Sequence, residues 1–231
     1  MLHVHYLTAL DRRGVRPGRD ALHAAELVYA EIRLARSHRW LVASSPVVAS
    51  TLRRISPRSR TEVVPLSLDP AYYEPAPLDG PPVVGVIGTA SWQPTARAMR
   101  RLVHQLWPRI HREVPEAVLR IAGRGSERFT DFRGVAGVEV VGEVASAAAF
   151  LRDLSVLAYP LVRGSGMKVK VLEALATGLP VVTTPSGAEG IGPTDGVVVT
   201  EKDDEIVEAV RDVLADPAEV SRSASEPAGA Q

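Results

Sequence analysis

The hydrophobic and polar positions along the chain follow two alternating patterns, short apolar runs and longer amphipathic segments. Apolar runs of a few residues, rich in β-branched side chains, are typical of buried strands. We place such strands at 40–43, 61–64, 83–87, 118–122, 138–141, 155–159, 181–184 and 197–199. The segments between them have helical periodicity, and strands that alternate with helices form parallel sheets. The chain therefore predicts an α/β fold with a doubly wound, Rossmann-like parallel sheet.

The ends of the predicted helices carry capping residues. Asp20, Ser45 and Ser146 stand where an N-cap belongs, and Pro46 follows Ser45 as the first helical residue. Gly178 stands where a left-handed residue ends a helix. We place helices at 20–37, from 46 to near 57, from near 95 onward with a kink or restart at Pro108, in a short alanine-rich segment after Ser146, at 168–177 and at 204–215.

The stretch 154–185, with the sequence LSVLAYPLVRGSGMKVKVLEALATGLPVVTTP, organises the rest of the chain. It predicts strand, glycine loop, helix and strand, which together form the crossover unit of a parallel sheet. On a helical wheel the apolar arc is wide, and the narrow polar stripe holds Lys170, Glu173 and Thr177. Lys168 falls inside the apolar arc, in the first turn. We therefore expect a mostly buried helix whose polar residues point along one line.

The basic residues at the start of this helix have the wrong sign for a helix in water. Arg163, Lys168 and Lys170 crowd the positive end of the helix dipole, which disfavours each exposed cation by about 0.3–1 kcal/mol. A phosphate on the free N–H groups would reverse this penalty. Only three of the 27 basic residues are lysines, and two of them stand here. The loop alone leaves open the alternative that both lysines are solvated and that Gly164 and Gly166 are plain turn residues.

Residues 164–191, GSGMKVKVLEALATGLPVVTTPSGAEGI, resemble the donor-binding motif of the group 1, retaining glycosyltransferases, which have the two-domain GT-B fold. In that family the loop and helix hold the diphosphate of a nucleotide sugar, and a glutamate that Glu173 matches binds the ribose hydroxyls. Many members carry a second acid eight positions earlier for the transferred sugar, where this chain has Ser165. The resemblance thus implies a nucleotide-sugar site that includes Arg163, Gly164, Ser165, Gly166, Met167, Lys168 and Glu173.

The turns after three predicted strands supply further candidate site residues. Gly88 and Thr89 follow the strand 83–87, and ligands of open α/β sheets collect at such carboxyl ends. By resemblance, the turn with Gly123 and Arg124 lies near the nucleotide, and the backbone at Gly142 helps to hold the base. The alternatives are plain turn residues and a surface arginine. Other members carry an arginine and a lysine after the strand 83–87 for the diphosphate, and the sequence does not identify their counterparts.

The resemblance also predicts how the chain is divided into domains. Residues 1–64 match the last part of an N-terminal acceptor domain, most of which is missing, so the chain looks truncated. Residues 65–82 contain six prolines and predict an extended interdomain link. Residues 83–216 form the donor-binding domain, and 217–231 have the composition of a disordered tail. The family often places a histidine near the reacting sugar; His3 and His5 are candidates, with solvated bystanders as the alternative.

Composition excludes several classes of function. The 231 residues have zero formal net charge, whereas a nucleic-acid binder would show a basic excess. The chain has no cysteine, no apolar run of membrane-spanning length and no export signal, so we expect a cytoplasmic protein. The first 60 residues are rich in arginine, which leaves open a peripheral contact at the inner face of the membrane. P-loop, HExxH and GxSxG sequences are absent, and we expect neither a metal nor a cofactor.

The resemblance implies a glycosyltransferase that moves a sugar from a nucleotide-diphosphate sugar to an acceptor hydroxyl with retention of configuration. We expect hexosyl transfer in polysaccharide biosynthesis or small-molecule glycosylation, with a glycan, a lipid-linked glycan or a small molecule as acceptor. Lys168 and Glu173 are the predicted catalytic residues, with Arg163 supporting Lys168. One alternative is a truncated, inactive nucleotide-binding or interaction module. Another is nucleotide-sugar epimerisation on the same fold, which would need an acid and a base across a cleft.

Overall fold

A computed structural model describes residues 19–77, 79–164, 166–192 and 194–216. The chain divides into two compact units. One consists of Met1–Leu66 with Arg163–Met167, and the second consists of Ser67–Val162 with Lys168–Gln231. The predicted tail at 217–231 and the candidates His3 and His5 lie outside the described residues. In the described ranges, no helix is long and apolar enough to cross a bilayer.

The first unit is a small α/β arrangement around a two-stranded parallel sheet. Ser45 caps its second helix as predicted, because the Ser45 hydroxyl oxygen accepts a hydrogen bond from Val48 N at 3.1 Å. The buried core side chains are Ala35, Leu41, Ala43, Ala49 and Leu52. The elements in chain order are α1 (Arg19–Ser37), β1 (Trp40–Ala43), α2 (Pro46–Ile55) and β2 (Arg60–Val63).

The second unit is built on a six-stranded parallel sheet, which confirms the predicted doubly wound fold. Its strands are β3 (Val83–Ile87), β4 (Val118–Ala122), β5 (Val138–Gly142), β6 (Val156–Tyr159), β7 (Val181–Thr183) and β8 (Val197–Val199). Their spatial order is β5-β4-β3-β6-β7-β8. The strand order therefore reverses between β3 and β6, and ligands of such sheets bind at this switch point, beyond the carboxyl ends of the strands.

The helices of the second unit lie close to the predicted positions. They are α3 (Gln93–Arg101), a π-helical turn (Leu102–Leu106), α4 (Trp107–Glu113), α5 (Ala147–Arg152), α6 (Val169–Ala176) and α7 (Asp203–Ala215). Short 3₁₀ turns occupy Pro70–Tyr72, Ser126–Arg128 and Thr130–Phe132. The predicted boundaries differ from the observed ones by one or two residues, the usual uncertainty at element ends.

The predicted kink at Pro108 takes the form of a π-helical turn just before it. Pro108 has no N–H to donate to the carbonyl four residues earlier, and a widened turn accommodates the missing hydrogen bond. The turn keeps its apolar face in the core, and Trp107 is fully buried. The Trp107 indole N–H donates to the Ala136 carbonyl at 2.8 Å, which ties the helix to the turn before β5.

The central strands are buried on both faces. Every residue of β3, β6 and β7 is buried, as expected for a parallel sheet covered by helices on both sides. Polar groups are consequently confined to the ends of these strands. The carboxyl ends of β3 and β6 lie side by side because the two strands are paired in parallel.

Candidate functional site

Three of the predicted site glycines form adjacent turns at the carboxyl edge of the sheet. Gly88 N donates to the Ala122 carbonyl at 3.0 Å, and Gly123 N donates to the Gly142 carbonyl at 2.6 Å. A side chain on Gly123 would collide with the backbone of Gly88, whose carbonyl carbon would be 2.6 Å from the added Cβ. The turns after β3 and β4 can therefore approach closely only because Gly123 lacks a side chain.

Lys170 reaches this edge from helix α6. A Cβ added to Gly88 would overlap the Lys170 ammonium group, and it would lie 3.0 Å from Thr95 Cγ2. The missing side chain of Gly88 thus leaves the space that the ammonium occupies. This contact joins the turn after β3 to the helix after β6, on the two sides of the switch point in strand order.

The surroundings of Lys170 are aromatic and hydroxyl groups. Its ammonium lies 4.4 Å from the centre of the Tyr159 ring and 3.4 Å from the Tyr159 hydroxyl. The Tyr159 hydroxyl lies 3.2 Å from Thr95 Oγ1 in the first turn of α3. Burial, and after it the charge of Lys168, lowers the pKa of Lys170 to about 8, although Glu173 opposes the shift. Lys170 is therefore a partly buried cation whose charged form would gain from a bound anion.

Lys168 occupies the N-cap position of α6, without a side-chain capping bond. Burial lowers the pKa of Lys168, and the negative charge of Glu189 opposes the shift. Glu189, in the loop between β7 and β8, thus acts electrostatically on a candidate site residue. Two incompletely hydrated lysines at the beginning of one helix make this end of α6 favourable for an anion.

Glu173 lies on α6 one turn after Lys170. Its Oε1 accepts a hydrogen bond from the Tyr73 hydroxyl at 3.3 Å. Burial, together with the charge and the hydrogen bond of Glu173, raises the pKa of the Tyr73 phenol. Lys168, Lys170 and Glu173 therefore line one end of the second unit, with positive charge toward the start of α6 and a carboxylate further along it.

Arg124 and Thr89 contribute to the same edge through their backbones. The Arg124 carbonyl accepts a hydrogen bond from Ala90 N at 2.9 Å, and the Thr89 carbonyl accepts one from Trp92 N at 3.1 Å. The Arg124 guanidinium pairs with Glu143 at 3.2 Å on the exposed surface. A backbone hydrogen bond thus fixes the turn at Arg124. The Arg124 side chain forms a separate ion pair with the Glu143 carboxylate.

The glycine loop before α6 is grouped with the first unit. Leu66 N donates to the Met167 sulfur at 3.2 Å, and a Cβ on Gly166 would lie 3.3 Å from the Ser44 hydroxyl. Gly166 has φ +75°, a left-handed conformation that suits glycine. Arg163 and Gly164 belong to the same loop, and Ser165 lies outside the described residues. Within the second unit, the predicted residues that lie along the sheet edge or on α6 are Gly88, Thr89, Gly123, Arg124, Gly142, Lys168 and Glu173.

Three residues of the site, namely Tyr159, Thr95 and Tyr73, are absent from the sequence-based candidates. Lys170 is singled out in the sequence for its charge at the helix start and for its place on one helical stripe with Glu173, without an assigned contact. Thr177 was assigned to the same stripe, but it is buried and its hydroxyl donates to the Ala174 carbonyl at 2.8 Å, because the helix ends there. Tyr73 lies 100 positions before Glu173, and no local pattern connects the two. In the described part of the chain, no cluster of three His, Cys, Asp or Glu side chains is arranged to hold a metal ion.

A sequence profile described as glycosyl transferases group 1 matches residues 81–216, which is more than half of the chain. The match covers the six-stranded sheet, the glycine turns and all of α6. No curated protein sequence matches the chain.

Solved structures with the same fold include several that carry sugar ligands or act on sugars. Sucrose-phosphate synthase from Thermosynechococcus elongatus has a TM-score of 0.70 at 18% identity, covering 91% of this chain and 57% of that chain. WaaG, a glycosyltransferase involved in lipopolysaccharide biosynthesis, has a TM-score of 0.68 at 14% identity, with coverages of 90% and 62%. Anabaena HepE in complex with UDP and glucose has a TM-score of 0.66 at 15% identity, with coverages of 87% and 60%.

At these identities the likeness establishes the fold, with a six-stranded sheet that matches the C-terminal domains of GT-B glycosyltransferases. The chain spans about three-fifths of the length of these three structures.

Proposed function

The chain belongs to the group 1 glycosyltransferases, and we propose that it transfers a hexose from a nucleotide-diphosphate sugar to an acceptor hydroxyl with retention of anomeric configuration. The observation that carries this proposal is the Lys170 ammonium beside the glycine turn at Gly88, at the switch point of the sheet, with Lys168 at the N-cap of the same helix and Glu173 one turn further along it. Cations at the start of a helix suit a diphosphate, and a carboxylate one turn later suits a diol.

The structural neighbours support a nucleotide sugar as the donor. HepE has been solved with UDP-glucose, and TarM from S. aureus has been solved with UDP. These proteins share the fold of the second unit at low sequence identity. We therefore propose a nucleotide-diphosphate sugar here as well, while the base and the sugar are set by side chains that differ between such proteins.

The two lysines are proposed to neutralise the leaving diphosphate. As the bond between the anomeric carbon and the phosphate oxygen breaks, negative charge grows on that oxygen, and nearby ammonium groups lower the energy of this state. Lys168 and Lys170 are suited to this role because burial lowers the pKa of both, so a bound anion improves their energy. Arg163 and the N–H groups of residues 164–168 directly precede α6 in the chain and would add hydrogen bonds to the phosphates.

Glu173 is proposed to orient the ribose. A carboxylate accepts hydrogen bonds on two oxygens, which matches the two adjacent hydroxyls of a ribose. Glu173 follows the lysines by about one helical turn, so a nucleotide with its diphosphate at the start of α6 would extend its ribose along the helix. The turns at Gly123, Arg124 and Gly142 are then proposed to lie near the base.

Retention is proposed to follow from attack on the face that the diphosphate leaves. The acceptor oxygen forms a bond to the anomeric carbon while the bond to the phosphate oxygen breaks, and the departing phosphate takes the acceptor proton. In this front-face mechanism the nucleophile and leaving group share one side, so the configuration is kept. The protein needs to supply positioning and positive charge, which α6 offers, and no covalent intermediate is required.

A donor-hydrolysis assay followed by ¹H NMR tests the proposal without knowledge of the acceptor. UDP-glucose, GDP-mannose, ADP-glucose and TDP-glucose are incubated with the chain, and the first anomer released is read from its coupling constant. We expect turnover of one donor with the α anomer formed first, and at least a tenfold lower rate for Lys168→Ala and for Glu173→Ala. Lys202→Ala is the matched control, because Lys202 pairs with Glu205 on an exposed surface.

The outcomes separate the proposed function from the alternatives. Initial release of the β anomer would contradict retention. Binding of a nucleotide without turnover, with or without added glycan acceptors, would favour an inactive nucleotide-binding module. Interconversion of the bound sugar into its epimer would favour the epimerase.

A further inference from the structure

The segment that contains residues 73–76, before β3, contacts helix α6 and the neighbouring helix α5. Ala76 N donates to the Thr177 carbonyl at 2.8 Å, at the C-terminal end of α6. The Glu74 carboxylate forms an ion pair with Arg152, the last residue of α5. The Ala76 hydrogen bond holds the backbone after Pro75 against α6, and the exposed ion pair of Glu74 adds a weaker link to α5. Tyr73 therefore lies in a segment that is bonded to helices α6 and α5.

Tyr73 directs its hydroxyl to the carboxylate of Glu173. The distance from the hydroxyl to Oε1 is 3.3 Å, and the hydrogen bond is partly buried. Burial and the nearby carboxylate raise the pKa of the phenol, so the hydroxyl keeps its proton at neutral pH. Tyr73 is consequently a hydrogen-bond donor and Glu173 the acceptor.

The bond uses one of the two oxygens of Glu173. An ionised carboxylate has room for about four hydrogen bonds, so Oε2 and the second lone pair of Oε1 can accept the two ribose hydroxyls while Tyr73 donates to Oε1. A glutamate side chain held by one partner has fewer rotamers to lose when a second partner binds. A fixed carboxylate also presents its second oxygen in one direction.

We propose that Tyr73 is a positioning residue that holds the Glu173 carboxylate for the ribose of a nucleoside diphosphate. This inference rests on the proposed function, in which Glu173 is the ribose ligand. Tyr73 acts through Glu173, and it favours nucleotides that have both ribose hydroxyls over those that lack them. The anchors at Glu74 and Ala76 favour this role over a gate, because a gate must move aside when the ligand enters.

The test is a calorimetric double-mutant cycle with Tyr73→Phe and Glu173→Ala. The ligands are UDP, GDP or ADP, whichever binds, together with its 2′,3′-dideoxy form and inorganic pyrophosphate. We expect Tyr73→Phe to weaken the ribonucleotide about three- to tenfold and to leave pyrophosphate and the dideoxy form within twofold. In the Glu173→Ala background the same substitution has no further effect, because the partner is absent.

Tyr72→Phe is the matched control, because Tyr72 is adjacent in sequence and its exposed fraction is 80%. A second readout is the phenol pKa of Tyr73 in the ligand-free chain, followed by NMR on ¹³C-labelled tyrosine. We expect this pKa to fall in Glu173→Gln, because the neighbouring negative charge is removed. Thermal unfolding of each variant separates loss of the hydroxyl from loss of the fold.

Each outcome decides a separate point. If the unaltered chain binds no nucleotide, the proposed function fails, and this inference fails with it. If the unaltered chain binds and Tyr73→Phe binds equally well, the inference alone is overturned. Tighter ribonucleotide binding by Tyr73→Phe would also overturn it, because it would identify Tyr73 as a competitor of the ribose.

Discussion

The ammonium of Lys170 lies 4.4 Å from the centre of the Tyr159 ring and 3.4 Å from the Tyr159 hydroxyl. An aromatic face and a hydroxyl compensate a buried cation less well than a carboxylate does, and burial lowers the pKa of Lys170 to about 8. This arrangement lowers the stability of the unliganded chain. It is advantageous where an anion binds, and the trade of stability for binding is common at functional sites.

Replacing Lys170 by methionine is expected to stabilise the chain. The folded-state pKa of about 8 lies below the ordinary 10.5, so the cost of the buried charge is fully present below pH 8 and is relieved as the pH rises from 8 to 10.5. Lys170→Met should raise the free energy of unfolding at pH 7 by about 1–3 kcal/mol, with a smaller gain at pH 9.5. Urea unfolding at both pH values measures this difference. Destabilisation at pH 7 would mean that the ammonium is well compensated in the unliganded chain.

The affinity for a nucleoside diphosphate is expected to fall at alkaline pH. In the proposed site the charged form of Lys170 binds the diphosphate, and the free chain loses this charge above about pH 8. The dissociation constant should therefore rise between pH 7.5 and 9.5, by up to about tenfold per pH unit at the upper end. Lys170→Arg keeps its charge throughout this range and should flatten the profile. An unchanged profile in Lys170→Arg would assign the pH dependence to another group, with Lys168→Arg as the comparison.

Alanine at the two adjacent glycine turns is expected to have different consequences. In Gly88→Ala the new methyl group meets the flexible end of Lys170, so the ammonium is displaced and nucleotide binding weakens, with a loss of about 1–2 kcal/mol of stability. In Gly123→Ala the methyl group meets the rigid backbone of Gly88 at a φ of +120°, and the loss should be about 2–4 kcal/mol. Thermal unfolding and calorimetry on both variants measure the contrast. Equal stability losses would contradict the packing described here.

A compensating pair in the core tests the packing of the sheet. A Cβ on Gly85 would lie 2.6 Å from Leu154 Cδ2, so Gly85→Ala should cost about 1–3 kcal/mol by overpacking. Leu154→Ala alone should cost about 2–5 kcal/mol through the cavity it leaves. Because the new methyl group enters that cavity, the double variant should be more stable than the sum of the two losses predicts, by at least about 1 kcal/mol. Strict additivity in chemical denaturation would contradict the contact.

The strands and helices of the second unit are readable from sequence because its central strands are fully buried. A strand such as Val83–Ile87 is an apolar run because all of its residues are buried, and the cap at Ser146 marks a helix start locally. The alternation of strands and helices predicts a parallel sheet, and connection rules restrict its strand order, which the structure then gives. The sequence predicts only a kink or restart at Pro108. A proline indicates which helical hydrogen bond is lost, but it does not indicate that a π-helical turn forms in response.

The sequence predicts those candidate site residues that belong to one continuous motif, and it does not predict contacts between distant parts of the chain. Glu173 and Lys168 belong to one continuous motif, so their spacing is visible in the sequence. The charge of Lys170 is visible in the sequence. Its contact with the turn at Gly88 is not, because the two residues are far apart in the chain. The hydrogen bond from Tyr73 to Glu173 likewise depends on how the segment before β3 packs on α6. Contacts of this kind exist only after folding and leave no local periodicity.

The central claim is that the second unit binds a nucleoside diphosphate through Lys168 and Glu173. Calorimetric titration of the purified chain with UDP, GDP, ADP and TDP tests it most directly, beside Lys168→Ala, Glu173→Ala and the control Lys202→Ala. We predict saturable binding of one nucleotide, weakened at least tenfold, or about 1.4 kcal/mol, by each of the first two substitutions and unchanged by the third. A well-folded chain that binds none of the four nucleotides would contradict the account.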